Sequence, residues 1–298
     1  MRVNPNPMPD LLAALNQTQL EEQQASLEIS TGKSVNEPSD NPTAAALLVD
    51  NNDQATFTSG YLQSVSTVQG QLSTASSTLS SVTSALQQAI SLGVEAAGGT
   101  LSASDQAGIA NELEGIQSQL LSLANTTYEG NYIFAGSNTS TAPFAVDAIA
   151  PDGSGVLYSG NADVNEVAIG SGYKIAVNVP GSQLFLGSGK SVFLAINTLI
   201  QAVQTNTGIG TAVNAVTAAS SYLSAQTVLY GNATDQTQSE TAYLNAAQLQ
   251  ISQQQNTLGG ANMAAAATNL SQAQTDNQAA LAAISKLASQ NNLFSYLT

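Results

Sequence analysis

A seven-residue spacing of apolar side chains runs through two long stretches of this sequence, and it limits the fold more than any other feature. Val65, Leu72, Leu79 and Leu86 stand seven apart, and Val68, Ala75, Val82 and Ala89 fill the position three residues later. Such an a/d pattern puts one apolar stripe on one face of a long helix, which must be buried against other helices. Far down the chain, Val216, Leu223, Tyr230, Thr237, Leu244, Ile251 and Leu258 hold the same spacing, with Val213 opening the companion stripe. That stripe turns polar downstream through Ser220, Thr227, Thr234, Thr241 and Gln248, residues that weaken a seam but can fix its register.

The remaining helices follow from their stop and start signals. Asp10 is a candidate N-cap for a helix ending near Ser30, before Thr31-Gly32. Its apolar residues are few, and a helix of about 20 residues with so thin a stripe is marginal alone in water. Asn41-Pro42 opens the second helix, expected from Thr43 to Leu92. Gly98-Gly99 breaks it, and Ser102 caps a third helix carrying Ile109, Leu113, Ile116, Leu120 and Leu123. The short loop makes the second and third helices antiparallel neighbours. Helices resume at Val192 to Val203 and near Thr211. After Gly259-Gly260 a closing helix carries Leu270, Asn277, Ile284 and Asn291 beside Ala273, Ala280, Leu287 and Phe294.

Between Tyr132 and Lys190 the texture changes to short β-prone runs: Val156 to Tyr158, Val167 to Ile169, Tyr173 to Val179 and Leu184 to Leu186. Asp152-Gly153 and Pro180-Gly181 are turn signals. The expected fold is therefore mainly α, an elongated helical bundle or coiled coil built from both chain ends, with a small inserted β domain. The expected divisions are 1–35 with 262–298, 36–131 with 191–261, and 132–190. The bundle core is assigned to Val65, Leu72, Leu79, Leu86, Ile109, Leu113, Ile116, Leu120, Leu223, Leu244 and Ile251.

Composition narrows the chemistry. Charged residues make up only 8% of the chain, with 20 acidic against five basic: Arg2, Lys33, Lys174, Lys190 and Lys286. A formal charge of −15 argues against nucleic acid and against anionic lipid, both of which need Lys and Arg. An uncharged polar surface of Ser, Thr, Asn and Gln is cheaper to bury than a charged one, which suits repeated packing against neighbours. There is no Cys and no His, so the usual nucleophile–base pairs, thiolate zinc sites and disulfides are missing. Glu21-Glu22 and Glu112 with Glu114 read as solvated faces. Asp152-Gly153-Ser154-Gly155 lacks the spaced ligands of a calcium loop and reads as a hairpin turn. Gly170-Ser171-Gly172 is a turn, with no following helix Lys to make a phosphate cradle. Asn125, Asn138 and Asn232 begin glycosylation sequons that an Asn/Thr-rich chain produces by chance. No enzyme and no cofactor are expected. Met1-Arg2-Val3-Asn4-Pro5 has no signal-peptide stretch, and no run reaches the length of a membrane span.

Two segments carry a resemblance. Ser30-Thr31-Gly32-Lys33 followed by Pro38-Ser39-Asp40-Asn41-Pro42-Thr43-Ala44-Ala45-Ala46 resembles the N-terminal signature of flagellins and flagellar hook-associated proteins. Ala124 to Gly136, read Ala-Asn-Thr-Thr-Tyr-Glu-Gly-Asn-Tyr-Ile-Phe-Ala-Gly, with Pro143-Phe144 beyond it, is similar to the branch of that family that joins hook to filament. So is the run from Asn277-Gln278-Ala279-Ala280-Leu281 through Asn292 to Leu297. The first nine residues depart from the usual flagellin start, and the chain end lacks Leu-Leu-Arg. Both departures favour the junction branch over the filament subunit.

The resemblance implies paired terminal helices in the inner tube of an assembly, a bundle around them, and the β insert facing outward. It implies a ring of like subunits, a neighbouring hook-associated protein and flagellin as partners, and an export chaperone over the C-terminal region. It also implies an extracellular place on the flagellum, reached by type III export without a cleaved signal. The assembly interface is assigned to Leu11, Leu15, Leu20 and Leu27 with Leu270, Ile284, Leu287 and Phe294. A filament subunit is the alternative within the family; a secreted coiled-coil adhesin, its β insert carrying a ligand site, is the alternative outside it.

Overall fold

The computed structural model describes residues 8–99, 101–147, 149–187 and 189–290. Seven helices lie among them. These are α1 (Met8–Thr31), α2 (Pro42–Ala97), α3 (Ala103–Ala124), α4 (Gly181–Phe185), α5 (Val192–Thr205), α6 (Ile209–Gly259) and α7 (Met263–Gln290). Six short strands make three separate antiparallel pairs: β1 (Thr127–Tyr128) with β2 (Asn131–Tyr132), β3 (Phe144–Val146) with β4 (Val156–Tyr158), and β5 (Glu166–Gly170) with β6 (Tyr173–Ala176). The chain divides into two units, one drawn from Met1–Phe57 and Ala247–Thr298, the other from Thr58–Ala246.

Helix ends follow their chemistry closely. Asn41 caps α2 through its side-chain oxygen, which accepts from the Ala44 N–H at 3.0 Å, and Pro42 takes the first helical position. Ser102 and Asp105 form a reciprocal capping box on α3. Asp10 differs from its expected role. The helix already starts at Met8, so Asp10 lies in the first turn, where its carboxylate complements the helix dipole instead of capping. Gly32, at φ +68°, ends α1 with its N–H on the Glu28 carbonyl at 2.9 Å.

In the larger unit the heptad residues Val65, Leu72, Leu79 and Leu86 of α2 are all buried, together with Val68, Ala75, Val82 and Ala89. They share a core with Ile109, Leu113, Ile116 and Leu120 of α3 and with Val216, Leu223, Tyr230 and Leu244 of α6. The polar members of the α6 stripe reach across it: the Gln69 side-chain amide donates to Thr241 Oγ1 at 3.3 Å. Each fully buried Leu or Val contributes roughly 1.5–3 kcal/mol, so this stripe is a large part of the unit's cohesion. Ile251 is buried too, in the smaller unit.

The β pairs do not join into one sheet. Phe134, Phe144, Phe185 and Phe193 are almost wholly buried around one another, with ring centroids 5.3 Å (Phe134–Phe185) and 5.5 Å (Phe144–Phe185) apart at near-perpendicular planes. This aromatic cluster belongs to the same core as the helices and ties β3 and α4 to α5. Leu184 to Leu186 is not a strand. Pro180 starts a single helical turn there, its carbonyl accepting from Gln183 and Leu184 N–H groups, because burying Leu184 and Phe185 side by side in the aromatic cluster needs helical and not alternating geometry. The turn Asp152 to Gly155 closes the β3–β4 pair, with Asp152 Oδ1 accepting from the Ser154 N–H at 3.0 Å and the Ser154 hydroxyl at 2.7 Å. That hydroxyl holds the Asp152 carboxyl below its usual range.

Candidate assembly interface

The helices nearest the two ends of the chain lie against each other, α1 antiparallel to α7. Their crossing point is fixed where each meets the longer helices. Ala261 N–H donates to the Gly32 carbonyl at 2.9 Å and Ser34 N–H to the Gly259 carbonyl at 2.8 Å, so Lys33 and Gly260 make a one-residue antiparallel bridge. Gly259 also lets the Leu48 side chain come close, since a Cβ there would sit 2.9 Å from Leu48 Cδ1. Asp40 tightens the adjoining link by accepting from the N–H groups of Glu37 and Asn36, each at 2.9 Å. Those two bonds, Glu37's first, hold its carboxyl below the ordinary value.

From this bridge outward the partly covered residues of α1 are Met8, Leu11, Leu15, Thr18, Glu22, Glu28 and Ile29, with Ala25 buried. Those of α7 are Leu270, Asp276, Asn277, Ala280, Ile284 and Leu287, with Ala266 and Ala273 buried; all but Glu28 and Asp276 fall in one stripe on each helix. Alternating steps of three and four residues on both helices make a coiled-coil seam. Asn277 Nδ2 donates to Glu22 Oε2 at 3.2 Å and sets the register. Counting one heptad from that bond along both helices brings Leu15 level with Ile284, and Leu11 falls beside Leu287. Ala25 and Ala273 stand in one layer, where small side chains let the backbones approach.

The expected interface residues therefore separate into two sets. Leu11, Leu15, Leu270, Ile284 and Leu287 lie in the seam between α1 and α7. Leu20 and Leu27 do not: they are 60% and 43% exposed, and Leu27 lines the groove beside the seam together with Leu270. Leu12 and, on α7, Leu281 are exposed as well. Phe294 lies outside the described residues. The sequence reading placed Ala273 in the closing helix's stripe but missed Ala25 and Ala266, which a search for large side chains passes over. It also set Glu22 on a solvated face, although the residue is half-buried in the seam. Alongside the seam runs a cavity of about 700 Å3 lined by Gln19, Glu22, Gln23, Ser26, Leu27 and Asn277, among others.

The region offers a polar groove of Gln, Ser and Asn side chains with Glu22, flanked by Leu27 and Leu270. Elsewhere, among the described residues, no group of three acidic, Cys or His side chains could hold a metal ion, and no helix is long and apolar enough to cross a membrane. Tyr230, pushed up to about 12 by burial, is a core phenol whose oxygen accepts the Val179 N–H at 3.1 Å. The Asn125 sequon is occupied structurally. Its amide donates to the Phe144 carbonyl at 2.8 Å and accepts the Phe144 N–H at 3.0 Å.

Residues 7–139 match the family model of the bacterial flagellin N-terminal helical region. Flagellar hook-associated protein 3 of Salmonella typhimurium is 32% identical over 65% of this chain and 63% of its own length. The protein of that name from Escherichia coli is 40% identical over 40% of this chain and 38% of its own. The match thus spans less than two thirds of either relative. Among solved structures, the flagellar junction protein from Legionella pneumophila covers 72% of this chain with 100% of its own at a TM-score of 0.58 and 14% identity, a likeness of fold. Gly32 and the link that follows it lie within the matched residues, and the chain carries a flagellin-type N-terminal helical region and is similar to flagellar hook-associated protein 3.

Proposed function

We propose that this chain is a structural, non-enzymatic subunit of the bacterial flagellum that joins hook to filament and offers flagellin a surface to assemble on. The α1–α7 pair carries the reading. Its seam is thin and rich in alanine, and the pair shows Leu12, Leu20, Leu27 and Leu281 to solvent. Apolar residues so displayed on a marginal helix pair call for neighbours. In this reading the terminal segments 1–35 and 262–298 order on assembly, the coupling of folding to binding expected of a segment that cannot bury enough surface alone.

The partners are further copies of the chain in a ring, a neighbouring hook-associated protein and flagellin, with an export chaperone covering the C-terminal region beforehand. The place is the extracellular flagellum, reached through the flagellar export apparatus. Relatives named as hook-associated, and a fold neighbour named as a junction protein, support the junction over the filament.

Deleting the gene tests this. Hooks without filaments, with flagellin lost to the medium, is the expected result. Bare hooks with no flagellin outside would make the chain the filament subunit, and normal filaments would overturn any flagellar role.

A further inference from the structure

The seam between α1 and α7 leaves α1 with two unlike flanks. With the seam residues at the a and d positions, the e, b and f positions of α1 hold no charge and include Leu12, Gln19, Leu20, Gln23, Ser26 and Leu27. Its charged residues outside the seam, Asp10, Glu21 and Glu28, fall at c and g. The groove beside the seam opens on the uncharged flank, where Gln19, Gln23, Ser26 and Leu27 line it.

One ionised group reaches that groove. Glu22 is half-buried; its Oε2 accepts from Asn277 Nδ2 at 3.2 Å, and among the described residues its Oε1 has no partner. A half-covered carboxylate oxygen in an otherwise uncharged groove is stabilised by a cation or another donor. The side of α7 away from α1, its b, c and f positions, shows Ser271, Gln278, Ala279, Ala282 and Ser285 to solvent with a single charge, Lys286. Lys286 is the one basic residue in α1 and α7, and it has no carboxylate in ion-pair range among the described residues. Its own Glu22 is out of reach. Asn277 stands level with Glu22, and Lys286 lies nine residues further on, about 13 Å along the helix at 1.5 Å per residue.

We propose that the outer side of α7 in one copy lies along the groove side of α1 in the next, Lys286 meeting Glu22. Copies of a chain with formal charge −15 repel one another, and these two sides meet without setting acid against acid. The short side chains of α7 leave room for Leu20 and Leu27. The contact is heterologous: each copy offers a different side to each neighbour, so the series closes into a ring or runs on as a helix. This inference rests on the reading of the chain as a flagellar subunit that packs against its own copies.

The chain has no cysteine. Gln23→Cys and Ser285→Cys replace exposed residues that adjoin the two members of the ion pair. They are expressed as separate chains in the source bacterium lacking its own copy, and isolated hook–filament structures are treated with a short bismaleimide. The expected product is a mixed dimer, absent when either variant is expressed alone. It should be lost when Lys286→Glu is added to the Ser285→Cys chain and regained when Glu22→Lys is then added to the Gln23→Cys chain. Attached filaments without the mixed dimer, or a dimer indifferent to Lys286→Glu, would overturn the docking and leave the junction reading standing. A chain missing from the flagellar fraction, with filaments still attached, would overturn that reading and the docking with it.

Discussion

Single residues set fine features of the packing that propensity alone misjudges. Gly70 lies inside α2, where Gly→Ala ordinarily stabilises by about 0.5–1 kcal/mol. A Cβ there would run into the Tyr128 hydroxyl, which nests against the helix backbone. Gly108 and Gly115 on α3 face open space. We expect Gly108→Ala and Gly115→Ala to raise the thermal midpoint and Gly70→Ala to lower it, with Tyr128→Phe recovering part of the loss. The segment from Ala124 to Phe144 gains a physical meaning at this scale: Asn125 clasps the Phe144 backbone, and Phe134 and Phe144 stand in the aromatic cluster. Tyr230 gives a pH prediction. Its folded value near 12 lies above the ordinary 10.0, so the neutral phenol is favoured in the folded chain. The stability this gives is complete below pH 10 and is lost as pH rises through about 12. Tyr230→Phe should flatten that alkaline decline while costing about 1 kcal/mol at neutral pH, because the Val179 N–H loses its acceptor. Denaturant titrations at several pH values check both.

Among the elements, the two ends of the chain behave unlike the bundle. The stripes of α2 and α6 are built from large side chains fully removed from water, and Leu79→Ala should cost about 2–5 kcal/mol. The seam of α1 with α7 relies on alanines and half-covered leucines. Leu287→Asp places a carboxylate in that seam and should separate the two helices while leaving the larger unit's unfolding transition in place. Leu20→Asp, on the outer side, should leave the pair together and still block incorporation into the flagellum. Circular dichroism melts paired with immunoblots of isolated flagella distinguish the two; incorporation of Leu20→Asp at the normal level would show that the outer leucines face solvent in the assembly. Heptad spacing made the long helices and their buried faces legible in the sequence, because a stripe of Leu and Val repeats with the helix. The β pairs were legible only in part. Val156 to Tyr158 is β-prone and bounded by Gly155 and Ser159, but β1 and β2 are two residues each and turn through Glu129 and Gly130, both at positive φ, without an Asn-Gly signal. Leu184 to Leu186 reads as a strand because three apolar residues in a row have no period of their own. The register of α1 on α7 was hidden for a related reason: Ala25 and Ala266 carry too little apolar weight to mark a stripe.

At the scale of the whole molecule, the central claim is that the chain is used at one place, where hook meets filament. A chain with 8% charged residues and a weak seam between its terminal helices is suited to packing against neighbours. Hydrogen exchange should show the α1 and α7 amides exchanging fast in the isolated chain and slowly in purified hook–filament structures, while the heptad faces of α2 and α6 stay protected in both. The most direct test of the claim is location. Antibody against this chain, carried on gold and viewed by electron microscopy on intact flagella, should mark a single narrow band between hook and filament. Gold along the whole filament would contradict the account and make the chain the filament subunit.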